Sequence, residues 1–117
     1  MQLTANDLLA QARARLPHRP SPREALAAQR AGALLIDIRG DDQIRAVGAI
    51  PGALRIPRNV LEWRCDPQSD WRHPGAHETS RYTILICNEG FQSGLAAANL
   101  LRMGFTHVAL RGRASRS

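Results

Sequence analysis

Two short apolar runs constrain the fold of this chain more than any other feature. Residues 33–39 form an apolar run that ends in charge, and residues 82–86 form a second one. Apolar runs of this length are typical of strands that are buried on both faces of a parallel sheet. Because segments with helical spacing lie between the predicted strands, we expect a small α/β fold, with a mostly parallel sheet and helices on both faces.

Helical spacing and turn residues predict the remaining elements. The capping residues Ser21 and Glu24, with Pro22 between them, indicate the start of one helix. The predicted helices cover residues 4–16, 22–31, 41–47, 58–64 and 93–101, and two further strands cover residues 54–56 and 106–110. In the fourth helix we expect the core-facing side chains to be Val60, Leu61 and Trp63. Residues 65–80 are predicted to form a surface connection, and residues 111–117 a polar tail.

Composition narrows the class of protein. A length of 117 residues predicts one domain. No apolar run approaches the roughly 20 residues of a membrane span, and the N-terminus lacks the basic start and apolar core of a signal peptide. We therefore expect a cytoplasmic protein with no membrane partner.

Cysteine and histidine usage argues against a metal or other cofactor. Two cysteines are too few for a disulfide framework, and neither lies in a CxxC pair. His73 and His77 have a metal-ligand spacing, but they lie in a segment with proline and glycine rather than on a helix. We predict no metal site and no cofactor.

The charge pattern favours small anions over nucleic acid. The formal net charge is +6, and all 16 basic residues are arginine. These arginines are scattered along the chain, whereas nucleic acid binding favours a basic stripe with interleaved aromatic residues. We predict no nucleic acid partner and a general attraction to small anions.

Cys87 is the strongest candidate for a catalytic residue. It follows the apolar run 82–86 and precedes a short loop and a predicted helix. A helix N-terminus offers free N–H groups and partial positive charge, which favour a thiolate and bind an anion beside it. Asp37 and Arg39 end the other long predicted strand, so we expect them at the same edge of the sheet as Cys87.

Three segments together resemble the rhodanese-like domain family. Residues 34–39 are similar to the family's apolar strand ending in Asp-x-Arg, and residues 48–53 to its Gly-His-Ile-Pro-Gly-Ala segment. Residues 86–93 are similar to its active loop, Cys-x-x-Gly-x-x-Ser, and the order and spacing also match. The resemblance covers residues 21–110 and predicts an N-terminal helical extension, residues 1–20, before a rhodanese-like domain, residues 21–117. Residues 56–64 are similar to the corresponding segment of an actinobacterial subgroup of the family.

The resemblance implies a single-domain sulfurtransferase. Cys87 would attack the outer sulfur of a small anionic donor such as thiosulfate and carry that sulfur as a persulfide. A thiol or cyanide would then accept it. The implied substrate-binding residues are those of the active loop, together with two arginines that we predict to supply positive charge: Asn88, Glu89, Gly90, Phe91, Gln92, Ser93, Arg39 and Arg58.

The chain departs from the family pattern in three places. Ala49 stands where the family often has histidine, and Asn88 and Glu89 replace the basic residues of some thiosulfate-using members. The family also continues from its last strand into a Gly-Gly turn and a helix with a tryptophan, whereas residues 111–117 are polar. We therefore expect the C-terminal helix to be missing, which predicts either marginal stability or a homodimer that covers the gap.

Two other functions compete with sulfurtransfer. A non-catalytic rhodanese-like module would bind or regulate a protein partner without using the thiol. A phosphatase of the related cell-cycle kind would need an arginine six positions after the cysteine to hold a phosphate dianion. Position 93 is serine, which argues against the phosphatase.

Overall fold

The computed structural model describes residues 2–16, 19–87 and 91–111. Four parallel strands form one sheet in the order β2-β1-β3-β4. The strands are β1 (Leu34–Asp37), β2 (Leu54–Arg55), β3 (Thr83–Ile86) and β4 (Val108–Arg111). The helices are α1 (Ala5–Ala14), α2 (Pro22–Arg30), α3 (Asp41–Val47), α4 (Leu61–Cys65) and α5 (Phe91–Arg102). The predicted parallel α/β architecture is confirmed.

The sheet separates two hydrophobic clusters, because successive side chains of a strand point to opposite faces. Leu34 and Ile36 of β1 lie in the larger cluster with residues of α4 and α5, while Leu35 lies in the smaller cluster with Ala25 of α2. Leu16, just after α1, also belongs to the larger cluster. Helices therefore cover both faces, as predicted.

Local signals explain the helix ends. Thr4 caps α1 and Ser21 caps α2. In each capping box the hydroxyl of the capping residue accepts a hydrogen bond from the backbone N–H three positions later, and the acidic side chain at that position accepts one from the backbone N–H of the capping residue. Pro22 occupies the first turn of α2. The capping box predicted for Ser21 and Glu24 is confirmed.

The segment after β2 differs from its predicted helix. Residues Arg58–Val60 form a 3₁₀ turn, and α4 follows with only five residues. Leu61 is fully buried as predicted, but Val60 is 37% exposed and Trp63 is 57% exposed. Leu61 and Trp63 are two positions apart within α4, about 200° around the helix axis, so they cannot both face the core, and Trp63 points to solvent.

Two further boundaries were predicted wrongly. Cys65 ends α4 and is fully buried, four positions after Leu61 on the same helix face, so it does not begin a surface connection. Arg111 is not part of a polar tail, because it ends β4, pairs with Ile86 and is 9% exposed. The rest of the predicted tail, residues 112–117, and with it the predicted loss of a C-terminal helix, lies outside the described residues.

Candidate active site

Cys87 lies at the carboxyl edge of the sheet. In the strand register Ile86 pairs with Asp37 of β1 and with Arg111 of β4. One residue later, the Cys87 N–H donates to the carbonyl oxygen of Arg111 at 3.1 Å. Cys87 is 7% exposed and belongs to the larger hydrophobic cluster. Cys87 and the end of β1 are therefore neighbours across the sheet, as predicted.

Asp37 and Arg39 form a buried ion pair beside this edge. Arg39 Nη2 donates to Asp37 Oδ2 at 2.7 Å and Arg39 Nε to Asp37 Oδ1 at 2.9 Å. The two side chains are at most 2% exposed. Hydrogen bonding to Asp37 raises the pKa of the Arg39 guanidinium, against the opposing effect of burial. A two-point contact between buried groups of opposite charge is rigid.

The same guanidinium fixes the loop after α3. Arg39 Nη2 also donates to the Gly48 carbonyl oxygen at 3.0 Å. Gly48 has a φ of +106°, a conformation that side chains with a Cβ rarely adopt. From the other side, Gln29 Nε2 donates to the Pro51 carbonyl oxygen at 2.9 Å. Arg39 thus acts on the described part of the chain as a structural anchor, and its role in holding substrate stays a prediction.

An open cleft of about 760 Å³ lies over the ends of β1 and β2. Its lining includes three arginines and the acidic side chains that face them: Arg39, Arg55, Arg58, Asp37 and Asp41. We call it the edge cleft. Arg39 and Arg58, which the sequence predicted as site residues, both line the edge cleft. Arg55 was missed because the predicted strand ran on to residue 56, whereas β2 ends at Arg55, at the edge where ligands of such sheets bind.

Arg55 and Arg58 each have one carboxylate partner. Arg55 Nη2 donates to Asp41 Oδ1 at 2.6 Å, and both side chains are more than half exposed. Arg58 Nη1 donates to both carboxylate oxygens of Glu62, at 2.9 and 3.0 Å. The edge cleft therefore carries guanidinium groups at the carboxyl ends of β1 and β2, and β1 is the neighbour of β3, the strand that Cys87 follows.

Glu62 connects the edge cleft to α5. Its Oε2 accepts a 2.8 Å hydrogen bond from Asn99 Nδ2 and also accepts from Arg58. Burial alone would raise the pKa of this carboxyl group, but the hydrogen bond from Asn99 and the charge of Arg58 outweigh it and lower the pKa. Glu62 therefore stays ionised at neutral pH and ties Arg58 and α4 to the helix that follows the predicted active loop.

The active loop itself is only partly described. Asn88, Glu89 and Gly90, which the sequence placed in the substrate-binding loop, lie outside the described residues. Phe91, Gln92 and Ser93 form the first turn of α5, which begins two residues earlier than predicted. The substrate-binding roles of these six residues stay predictions.

Cys65 differs from Cys87 in its surroundings. It is fully buried at the end of α4, and burial, followed by the negative charge of Glu62, raises the pKa of its thiol to about 12. A thiol of that kind is protonated at neutral pH and is a poor nucleophile. Among residues 2–16, 19–87 and 91–111, no three His, Cys, Asp or Glu side chains are grouped as a metal site would need.

Comparison with known proteins shows to which family this chain belongs. The sequence profile of the rhodanese-like domain matches residues 21–111. The chain belongs to the rhodanese-like domain family. Thiosulfate sulfurtransferase GlpE from Pseudomonas entomophila (strain L48) is 33% identical over 90 residues, which cover 77% of this chain and 73% of that protein.

Solved structures support the same rhodanese-like fold. RPA3614 from Rhodopseudomonas palustris CGA009, a protein of unknown function described as a possible tyrosine phosphatase, superposes with a TM-score of 0.83 and is 28% identical. The match covers 97% of this chain and 86% of that one. The human single-domain sulfurtransferase TSTD1 matches with a TM-score of 0.65 at 23% identity, over 82% of this chain and 88% of its own.

Proposed function

We propose that this protein is a sulfurtransferase that carries sulfane sulfur on Cys87. The observation that carries the proposal is the position of Cys87 at the carboxyl end of β3, beside β1 and its arginine-containing edge, in a chain of the rhodanese-like family. GlpE of P. entomophila, a relative at 33% identity, is a thiosulfate sulfurtransferase. Ligands of open α/β sheets bind at this edge.

The proposed chemistry balances without a redox partner. The Cys87 thiolate attacks the outer sulfur of thiosulfate, a new S–S bond forms, and the old S–S bond breaks as sulfite leaves with its electron pair. Cyanide or an acceptor thiolate then attacks the outer sulfur of the persulfide, and the Cys87 thiolate is regenerated. The intermediate is anionic, so backbone N–H groups of residues 88–93 would stabilise it.

Guanidinium groups in the edge cleft favour an anionic donor. Arg55 and Arg58 line that cleft, and each is paired with one carboxylate, whereas a guanidinium has five N–H donors. Glu89 and Ala49 depart from the pattern of thiosulfate-using members, so the cellular donor could be another anionic sulfur compound. The proposal concerns the persulfide on Cys87, whichever donor loads it.

Rates of sulfite and thiocyanate formation from thiosulfate and cyanide test this function. The wild-type protein should turn over, Cys87→Ala should be inactive, and Cys65→Ala should retain activity as the matched cysteine control. Equal loss of activity in both variants, at equal folded fraction, would contradict the assignment. A folded wild type that fails with every sulfane donor would favour a non-catalytic binding or regulatory module.

A phosphatase activity is not supported. The R. palustris protein is described as a possible tyrosine phosphatase. In this chain, however, position 93 is serine, where such an enzyme would need an arginine to hold the phosphate dianion. We expect no hydrolysis of an aryl phosphate.

Location and assembly complete the proposal. No helix among the described residues is both long and apolar enough to span a bilayer. We propose that the protein works in the cytoplasm, and we keep the homodimer as a prediction. Sedimentation equilibrium tests the dimer, because it gives the mass of one chain for a monomer and of two chains for a dimer.

A further inference from the structure

A second cleft lies on the other side of Arg58, between α1 and α5. Its volume is about 620 Å³, and its charged lining consists of Arg15 on the α1 side, Arg102 at the end of α5, and Arg58. We call it the α1–α5 cleft. The match to the rhodanese-like family begins at residue 21, so the α1 wall lies outside the matched domain. The α1–α5 cleft is therefore separate from the edge cleft, although Arg58 lines both.

The charge of this cleft is positive. The side chains of Arg15 and Arg102 make no hydrogen bond or ion pair with any residue that the structure describes. Arg58 is paired with Glu62 through Nη1, but its Nε is buried and has no hydrogen-bond partner among the described residues. A buried N–H without a partner is costly, so an acceptor that reaches Arg58 Nε would be stabilising.

The rest of the lining is mostly apolar. Leu8 and Ala12 of α1 face Leu95 and Ala98 of α5 across the cleft. Leu8 is 46% exposed, so its side chain offers apolar surface to a ligand in the cleft. Apolar walls with a few convergent charged groups, at a volume of this size, are typical of small-molecule sites.

We propose that the α1–α5 cleft binds a small organic anion, with a carboxylate or phosphate group on Arg15 and Arg102 and an apolar body against Leu8 and Leu95. A guanidinium binds both kinds of anion through two parallel hydrogen bonds. The three arginines against one carboxylate, Glu62, leave net positive charge to be neutralised. This inference does not depend on the sulfurtransferase proposal, because Arg15 and Arg102 lie outside the edge cleft.

Binding of matched aromatic probes tests the proposal. Benzoate and phenyl phosphate supply the two anionic groups, and benzylamine supplies a cation on a similar ring. Two-dimensional ¹H–¹⁵N NMR of the full-length protein follows α1, α5 and the Arg58 Nε–H. We expect at least one of the two anions to shift these signals, with no shift from benzylamine. A preference between the anions identifies the group that the cleft accepts.

Charge-matched variants separate a site from general attraction to a basic protein. The double variant Arg15→Gln/Arg102→Gln should weaken anion binding by about tenfold or more, because it removes both guanidinium groups that make charge-assisted hydrogen bonds to the anion. The control Arg23→Gln/Arg30→Gln removes the same charge from exposed positions of α2 and should bind as wild type does. All four side chains are exposed, so both variants should fold.

Three results would overturn the inference. They are the absence of any shift with either anion, equal binding of benzylamine, and equal weakening in the two double variants. Thiosulfate turnover should be unchanged in Arg15→Gln/Arg102→Gln, so a failure of this cleft to bind anions and a failure of the sulfurtransferase proposal are distinguishable.

Discussion

At the scale of single residues, the Asp37–Arg39 pair determines how rigid the carboxyl edge of the sheet is. The pair is almost fully buried and also holds the Gly48 carbonyl. Removing one partner of a buried pair leaves the other charge uncompensated, which costs more than the pair itself contributes. Substituting only one of the two residues should therefore destabilise the protein strongly.

The change Asp37→Asn should lower the free energy of unfolding by about 3 kcal/mol or more, because it leaves the Arg39 guanidinium without a counter-charge. Urea denaturation measures this. The matched control is Asp42→Asn, which breaks the Asp42–Arg45 pair, whose side chains are 94% and 76% exposed. It should cost less than about 1 kcal/mol. Similar costs for the two variants would contradict a structural role for Asp37.

Cys65 predicts a pH dependence of stability. Its pKa is raised to about 12 in the folded protein, from an ordinary value of 9.0. Between these values the unfolded chain loses a proton that the folded chain keeps, so the unfolding free energy falls as pH rises. The slope from this group is about 1.4 kcal/mol per pH unit, and Cys65→Ala should remove it. An unchanged slope in the variant would show that other groups cause the alkaline loss.

At the scale of secondary-structure elements, Glu62 and Asn99 join α4 to α5. Their hydrogen bond involves a charged, partly buried carboxylate, and such bonds are worth about 1.5–3 kcal/mol. Asn99→Ala should therefore lower the unfolding free energy by about 1.5–3 kcal/mol. The control Asn6→Ala, at an exposed position of α1, should change it by less than about 0.5 kcal/mol. Equal effects would mean that this hydrogen bond does not stabilise the contact of the two helices.

The elements that the sequence predicted correctly are those with strong local patterns. The runs that became β1 and β3 are apolar because both faces of the sheet are covered, and the cap of α2 is visible as a residue pair three apart. The failures have identifiable causes as well. Leu61 and Trp63 lie two positions apart and therefore on different faces of α4, and backbone pairing with Ile86 extended β4 to Arg111, beyond its apolar run.

The candidate site was only partly visible in the sequence. Cys87 and Arg39 were placed by motifs, and the parallel register of β1 and β3 confirms that their strands end together. The Arg55–Asp41 pair and the Glu62–Asn99 hydrogen bond connect residues 14 and 37 positions apart. Pairs at those separations depend on tertiary packing, which no local pattern reports.

At the scale of the whole molecule, α1 is packed into the fold rather than appended to it. Leu16 follows α1 and lies 4% exposed in the larger cluster. Leu16→Ala should therefore cost about 2–5 kcal/mol, as buried leucines do. Leu3→Ala, at a position that is 49% exposed, should cost less than about 0.5 kcal/mol. Thermal or urea unfolding measures both costs. A Leu16→Ala variant as stable as the wild type would indicate that the N-terminal extension is independent of the domain.

The most direct test of the central claim is the mass of Cys87 after exposure to thiosulfate. The protein is incubated with thiosulfate, the excess is removed, free thiols and persulfides are alkylated, and the peptides are mapped by mass spectrometry. The account predicts one extra sulfur atom on the Cys87 peptide, none on the Cys65 peptide, and loss of the added sulfur when cyanide follows. Extra sulfur on the Cys65 peptide would contradict the account. So would a folded protein in which neither cysteine gains sulfur from any sulfane donor tested.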